Sequence, residues 1–262
     1  MSPLLSVEHL TVDHPGPDGP VRAAADVSFE IEAGGALVLL GESGSGKTTV
    51  ARTVLGLGRS ARITGSVRLG ETDLRAVDER AMGRIRGRRI GYVAQDPSGA
   101  LDPLRRIGPQ ITEVLLRHRI VTGRRAARAV VPDLLSAAGI TEPERTARSH
   151  PHQLSGGQRQ RAAIALAIAC GPGLLVADEP TTALDVLVRA QVLDLFDRLR
   201  TERGTALLLV THDLDVARRI GGRVAVMRGG SIVETGSADE VLTRPVHAFT
   251  AELVGSRTEA IR

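Results

Sequence analysis

The stretch "GESGSGKTT", Gly41 to Thr49, packs three glycines and four hydroxyl side chains around Lys47, the only lysine in a chain of 262 residues. The apolar run "ALVLL" (Ala36 to Leu40) precedes it, and "KTTVARTVLGL" follows with a helical pattern. The order strand, glycine loop, helix is therefore predicted around this stretch. It also poses a question. A chain that uses arginine for every other Lys/Arg position keeps one lysine here.

Gly41, Gly46, Lys47 and Thr48 satisfy the spacing G-x-x-x-x-G-K-[ST]. Each part has a physical reason. Glycines let the backbone curl until successive N–H groups point at one anion. A helix starting near Lys47 adds its positive end. Lys47 supplies a compact, flexible charge able to reach the β- and γ-phosphates of a nucleotide, whereas the planar fork of arginine does not suit such a nest. The Thr48 hydroxyl is expected to ligate Mg²⁺. The rest of the run (Glu42, Ser43, Gly44, Ser45 and Thr49) is expected to wrap the phosphates. A plain flexible Gly/Ser loop is the competing reading. The flanking strand and helix weigh against it.

Moving outward, "LLVADE" ends a buried-strand pattern in two acids. Asp178 is expected to hold Mg²⁺, and Glu179 to polarise an attacking water. An acidic pair after an apolar strand is weak evidence alone; behind a phosphate-binding loop it is strong. "LSGGQ", Leu154 to Gln158, places Ser155, Gly156 and Gly157 at the start of a helix running through "RQRAAIALAIA". That is a second helix N-terminus suited to an anion. One chain with one phosphate loop has no obvious need for two cradles. Two chains facing head to tail do, each signature closing on the phosphate held by the other.

Composition narrows the class. The chain is 42% hydrophobic, enough for a real core, but only 2% aromatic, so that core must be aliphatic. Scarce aromatic rings argue against base-stacking nucleic-acid binding. The net charge of +4 is a modest hint of an acidic partner or membrane surface. Cys170 is the only cysteine, so no internal disulfide is possible, and it reads as buried packing. The first residues lack a signal-peptide pattern. The longest apolar stretch, Ala162 to Cys170, is too short to span a bilayer.

Strands are predicted at Leu5 to Val12, Ala25 to Ile31, Gly65 to Gly70, Arg89 to Gln95, Gly173 to Glu179 and Thr205 to His212. "RVAVMRGG" and "SIVETG" read as a hairpin turning at Gly229-Gly230, and Ser237 as the cap of a short helix. "VLVRAQVLDLFDRLRTER" reads as a long helix. Helical patterns dominate from Asp96 to about Gln153. Phe29, Phe196 and Phe249 are expected in the core. "RIRGRR", Arg84 to Arg89, reads as a solvated basic face. His150 and His152 show no third partner for a metal.

These motifs together resemble an ATP-binding cassette (ABC) transporter nucleotide-binding subunit, over nearly the whole chain. "GESGSGKTT", "YVAQDPSGALDPLRRIGPQI" and "HPHQLSGGQRQRAAIALAIACGPGLLVADEPTTALDV" are similar to the ATPases of peptide and nickel importers. "RPVHAFTAELV" resembles their C-terminal "HPYT"-like stretch, with Ala248-Phe249 for Pro-Tyr. The resemblance implies an α/β fold: a RecA-like P-loop NTPase core (1–95 and 159–236) with an N-terminal antiparallel β subdomain. It further implies an inserted α-helical subdomain (96–158) and a helical tail (237–262). It implies that Gln95 touches Mg²⁺ and the attacking water, that Gln158 completes the signature, and that Asp185 lies at the chain–chain contact. It makes His212 the switch histidine near the γ-phosphate. Where the family has an aromatic ring stacking on adenine, this chain offers His14. The implied cofactors are ATP and Mg²⁺. The implied partners are a second ABC ATPase subunit, two transmembrane permease subunits and an extracellular solute-binding protein, with no nucleic acid. The implied location is the cytoplasmic face of the membrane. An exporter subunit or a non-transport ABC protein is the alternative. Compared with longer peptide-importer ATPases the chain stops soon after "HAFT", so a cluster-binding C-terminal region is not expected.

Overall fold

The computed structural model describes residues 3–58, 60–182 and 184–260. The chain divides into two compact units, residues 1–78 with 206–262, and residues 79–205.

In the first unit, β1 (Leu5–His14) pairs antiparallel with β2 (Val21–Ile31) on one side and with β4 (Arg62–Leu69) on the other. The short β5 (Thr72–Asp73) extends this sheet beyond β4. Alternation along the sequence marks β2 only from Ala25, but the strand begins at Val21. Cross-strand pairing carries on to His14 opposite Val21, past the stretch where burial imposes a pattern. Phe29 departs from expectation: it is half-buried, although Val27 and Ile31 on the same strand are buried.

A second, mostly parallel set surrounds β3 (Ala36–Leu40), which is buried along its whole length. Its neighbours are β8 (Ala206–Thr211) and β9 (Arg223–Arg228), both parallel to it. The continuous apolar runs "ALVLL" and "ALLLVT" are what strands covered on both faces require. β9 turns at Gly229-Gly230 into antiparallel β10 (Ser231–Ser237). Helix α1 (Lys47–Val54) follows β3, and α8 (Leu214–Ile220) connects β8 to β9. Ser237 caps α9 (Ala238–Thr243) in a capping box with Glu240. In α10 (Ala248–Ala260), Phe249 is buried and the Arg228 guanidinium lies 4.6 Å from its ring centroid.

The second unit holds α2 (Glu79–Ile85) and the parallel pair β6 (Ile90–Val93) and β7 (Leu174–Asp178). Between these strands run α3 (Ile107–Arg117), α4 (Arg124–Ala137), α5 (Pro143–Arg148) and α6 (Gly156–Ile168). Ile111, Leu115, Val131 and Leu135 form the aliphatic seam of the first two helices. The buried Gln110 amide accepts from the Asp102 N–H and donates to the carbonyls of Asp102 and Arg105, which folds the loop ahead of α3. Helix α7 (Val186–Arg203) closes the unit, with Phe196 fully buried. Cys170, expected in the core, is half-buried: it lies past the end of α6, where the chain turns at Gly171. Among the described residues no helix is long and apolar enough to cross a membrane.

Candidate functional site

The glycine loop leaves the C-terminal end of β3, the usual position for ligands on a parallel sheet. Its shape depends on glycine at two points of close approach. A Cβ on Gly46, where φ is +100°, would lie 2.2 Å from the Ala23 carbonyl oxygen. A Cβ on Gly41 would lie 2.3 Å from the Met227 carbonyl oxygen. The turn after β9 braces the loop further, the Gly230 N–H donating to the Ser45 carbonyl at 3.1 Å. Sequence reasoning took Gly229-Gly230 for a hairpin turn alone. Its second role depends on contacts far apart along the chain.

Lys47 begins α1 and is only 4% exposed. Its Nζ donates to the carbonyls of Gly41 (2.8 Å) and Glu42 (2.6 Å) and to Ser45 Oγ (3.2 Å). The ammonium is thus held in the curl of its own loop by partners that fit a compact, three-donor group. No side chain caps α1, whose N-cap is Gly46, so the helix opens on backbone N–H groups and the hydroxyls of Thr48 and Thr49. Glu42, Ser43 and Gly44 are exposed on the rim of the loop.

Two histidines of this unit have defined positions. Thr211 pairs with Leu40, so His212 and Gly41 leave neighbouring parallel strands at the same end. His212 is exposed there. His14 ends β1 opposite Val21, two residues before the Ala23 that abuts Gly46, or about 7 Å along the strand. His14 is half-buried, as the last paired residue of β1.

In the second unit, β7 ends in Asp178, which is buried at 3% exposure. Val93 pairs with Ala177, so Gln95 leaves β6 beside the two acids. Gln95 Nε2 donates to Glu179 Oε2 at 3.2 Å. Thr182 Oγ1 donates to the same oxygen at 2.9 Å. Glu179 has φ +46°, a left-handed conformation that is uncommon without glycine and often marks functional sites. Directly after Gln95, Asp96 accepts from the Ser98 N–H at 2.8 Å, which holds its carboxyl below the ordinary range.

Ser155 caps α6 in a capping box: its Oγ accepts from the Gln158 N–H (3.2 Å), and Gln158 Oε1 accepts from the Ser155 N–H (3.0 Å). A Cβ on Gly157 would lie 2.9 Å from the Val188 side chain, which explains glycine there. Asp185 caps α7 by accepting from the Val188 N–H at 2.9 Å. Ser155, Gly156, Gly157, Gln158 and Asp185 line one cavity of about 520 Å³. Arg161 enters the same cavity and donates to the Gly139 carbonyl and to Gln191 Oε1. Burial holds its guanidinium below its ordinary pKa, though Asp185 opposes the shift. Sequence reasoning missed Arg161 and Thr182. The only signals were a third polar residue in "RQR" and a hydroxyl after "DEP". His150 and His152 stack on one another, ring centroids 5.4 Å apart.

These residues fit a nucleoside triphosphate with Mg²⁺. The glycine curl, the lysine and the uncapped helix start are donors for phosphate. Among the described residues no cluster of three or more His, Cys, Asp or Glu side chains is placed to hold a metal. Mg²⁺ relies on substrate phosphates plus one or two protein ligands, so it needs no such cluster.

Residues 24–182 match the family model described as ABC transporter. The oligopeptide transport ATP-binding protein OppD of Mycobacterium tuberculosis is 44% identical over 257 residues, covering 98% of this chain and 42% of that protein. The dipeptide transport ATP-binding protein DppD of Bacillus subtilis is 40% identical over 259 residues, covering 98% of this chain and 77% of that protein. The chain thus spans less than half of the mycobacterial relative. Among solved structures, a dimeric post-hydrolysis state of the ATP-binding cassette MJ0796, bound to ADP and Pi, superposes with a TM-score of 0.80 at 30% identity. That match covers 89% of this chain and 98% of the other. The cassette cbiO1 of Clostridium perfringens, part of the complex cbiONQ, gives a TM-score of 0.78 at 25% identity over 100% of this chain and 96% of that one. The expected α/β P-loop NTPase fold agrees with these neighbours.

Proposed function

The chain belongs to the ABC transporter family, and on that premise we propose that it hydrolyses ATP to drive import of peptides through separate permease subunits. The observation that carries the ATPase reading is Lys47, the single lysine, caged by the glycine loop at the start of α1. Peptide cargo is favoured over nickel by the relatives named for oligopeptide and dipeptide transport.

Lys47 and the backbone N–H groups at the start of α1 bind the β- and γ-phosphates and offset their charge. Thr48, Asp178 and Gln95 would hold Mg²⁺, which when bound supplies further charge neutralisation. Glu179 accepts a proton from, or orients, the water attacking the γ-phosphate. His212 is assigned to the γ-phosphate and His14 to the adenine face. The signature residues of one chain, Ser155 to Gln158, close on nucleotide held by a second cassette. Asp185 joins that contact, supported by the apolar Val186 and Leu187 beside it, which are 81% and 68% exposed. The helices of residues 96–158 are proposed to transmit closure to the permeases at the cytoplasmic face, and a solute-binding protein to deliver the peptide outside.

Glu179→Gln tests the proposal. In the assembled transporter it should keep ATP binding, reduce turnover to a trace and trap a closed pair of cassettes. Wild-type hydrolysis by this variant would remove Glu179 from its role. Peptide uptake that continues without hydrolysis would remove the coupling.

A further inference from the structure

We infer that Thr182 is a positioning residue that aims the Glu179 carboxylate. Two features show that Glu179 does not choose its own conformation. Its φ of +46° lies in the left-handed region. It also precedes Pro180, whose ring disfavours compact backbone in the residue before it. Neighbours must therefore hold it in place.

Thr182 contacts both ends of that turn. Its N–H donates to the Glu179 carbonyl, a long contact of 3.4 Å, and its Oγ1 donates to Glu179 Oε2 at 2.9 Å. The first contact restrains the backbone and the second the carboxylate. Gln95 Nε2 donates to the same Oε2 at 3.2 Å, but from 84 residues away in sequence, whereas Thr182 is three residues away. The two donors fix the carboxylate from separate segments. The threonine hydroxyl belongs to the same turn as the glutamate, so its hold on the carboxylate does not depend on the segment that carries Gln95. A β-branched residue further stiffens the clamp, because its χ1 is restricted.

The inference rests on Glu179 acting on the attacking water. The test measures ATP turnover of the assembled transporter carrying Thr182→Val, Thr182→Ser or Glu179→Gln. Valine keeps the branched shape and removes the hydroxyl; serine keeps the hydroxyl. Thr182→Val should lower kcat about tenfold, with KM for ATP and nucleotide affinity within about twofold of wild type, since only the aim of the base is lost. Thr182→Ser should stay within about threefold of wild type. A wild-type kcat in Thr182→Val, a loss confined to KM, or a serine variant as slow as the valine one overturns the inference. Glu179→Gln separates the two levels. If it hydrolyses normally, the role of Glu179 falls and this inference with it. If it is inactive while Thr182→Val is unimpaired, only the role of Thr182 falls.

Discussion

Lys47→Arg keeps the charge of the phosphate loop and changes only its shape, which isolates the reason for the single lysine. The ammonium is 4% exposed and lies within hydrogen-bonding distance of the carbonyls of Gly41 (2.8 Å) and Glu42 (2.6 Å). A guanidinium is wider and planar, and cannot enter this curl without displacing backbone. Overpacking of a tight site costs about 1–3 kcal/mol. A charge-assisted hydrogen bond to phosphate that is lost or misaligned costs about 1.5–3 kcal/mol. The second quantity governs nucleotide affinity and corresponds to roughly a 10- to 100-fold rise in Kd for ATP. Titration calorimetry with ATP and Mg²⁺ reads that change. A thermal melt of the free variant reads the packing cost separately, at about 2–4 °C per kcal/mol for a chain of this size. Lys47→Ala, which loses charge as well as shape, should bind no more tightly than Lys47→Arg. A Lys47→Arg variant binding ATP within twofold of wild type would refute the argument that this nest needs a compact ammonium.

Two further predictions concern groups away from the nucleotide. Burial pushes the Cys170 thiol up to about 11. At pH 8 that leaves on the order of 100-fold less thiolate than an ordinary cysteine, so iodoacetamide should label the native chain about 100-fold more slowly than glutathione. Native labelling at the small-thiol rate would contradict this. Burial also pushes the Glu234 carboxyl upward, but the Thr250 hydroxyl, together with N–H donors from Val246 (2.8 Å) and His247 (3.0 Å), more than offsets it and leaves it below the ordinary range. A depressed folded pKa means that this contact stabilises fully above the ordinary glutamate value of about 4.3 and is lost as pH falls through the lower folded value. Hydrogen exchange at Val246 and His247, corrected for intrinsic rates, should therefore keep its protection from pH 7 down to about 4.5. Loss of protection between pH 7 and 5 would show that another group holds the segment.

Legibility in the sequence followed the range of the forces involved. The span of α7 is readable almost to the residue, because Asp185 caps one end and Gly204 ends the other. The hairpin at Gly229-Gly230 and the Ser237 cap are equally local. The start of β2 is not readable, because cross-strand partners set it. The half-burial of Phe29 and Cys170 is not readable either, since it depends on what the fold happens to place above them. Among the site residues, Lys47, Asp178 and Glu179 stand out through unusual residue types next to apolar runs. Thr182 and Arg161 carry common side chains whose roles come from their partners.

The order of chain from β3 through the glycine loop into α1 was determined by the sequence alone, because glycine conformation, helix polarity and apolar runs act over a few residues. The chemistry of a lone lysine beside hydroxyls was legible there for the same reason. Only the tertiary structure decided that Met227 and Gly230 brace that loop, that Gln95 and Thr182 meet on one oxygen of Glu179, and that Asp185 shares a cavity with Ser155. Those contacts join residues that packing brings together from distant positions or through a backbone turn. No local propensity encodes such meetings.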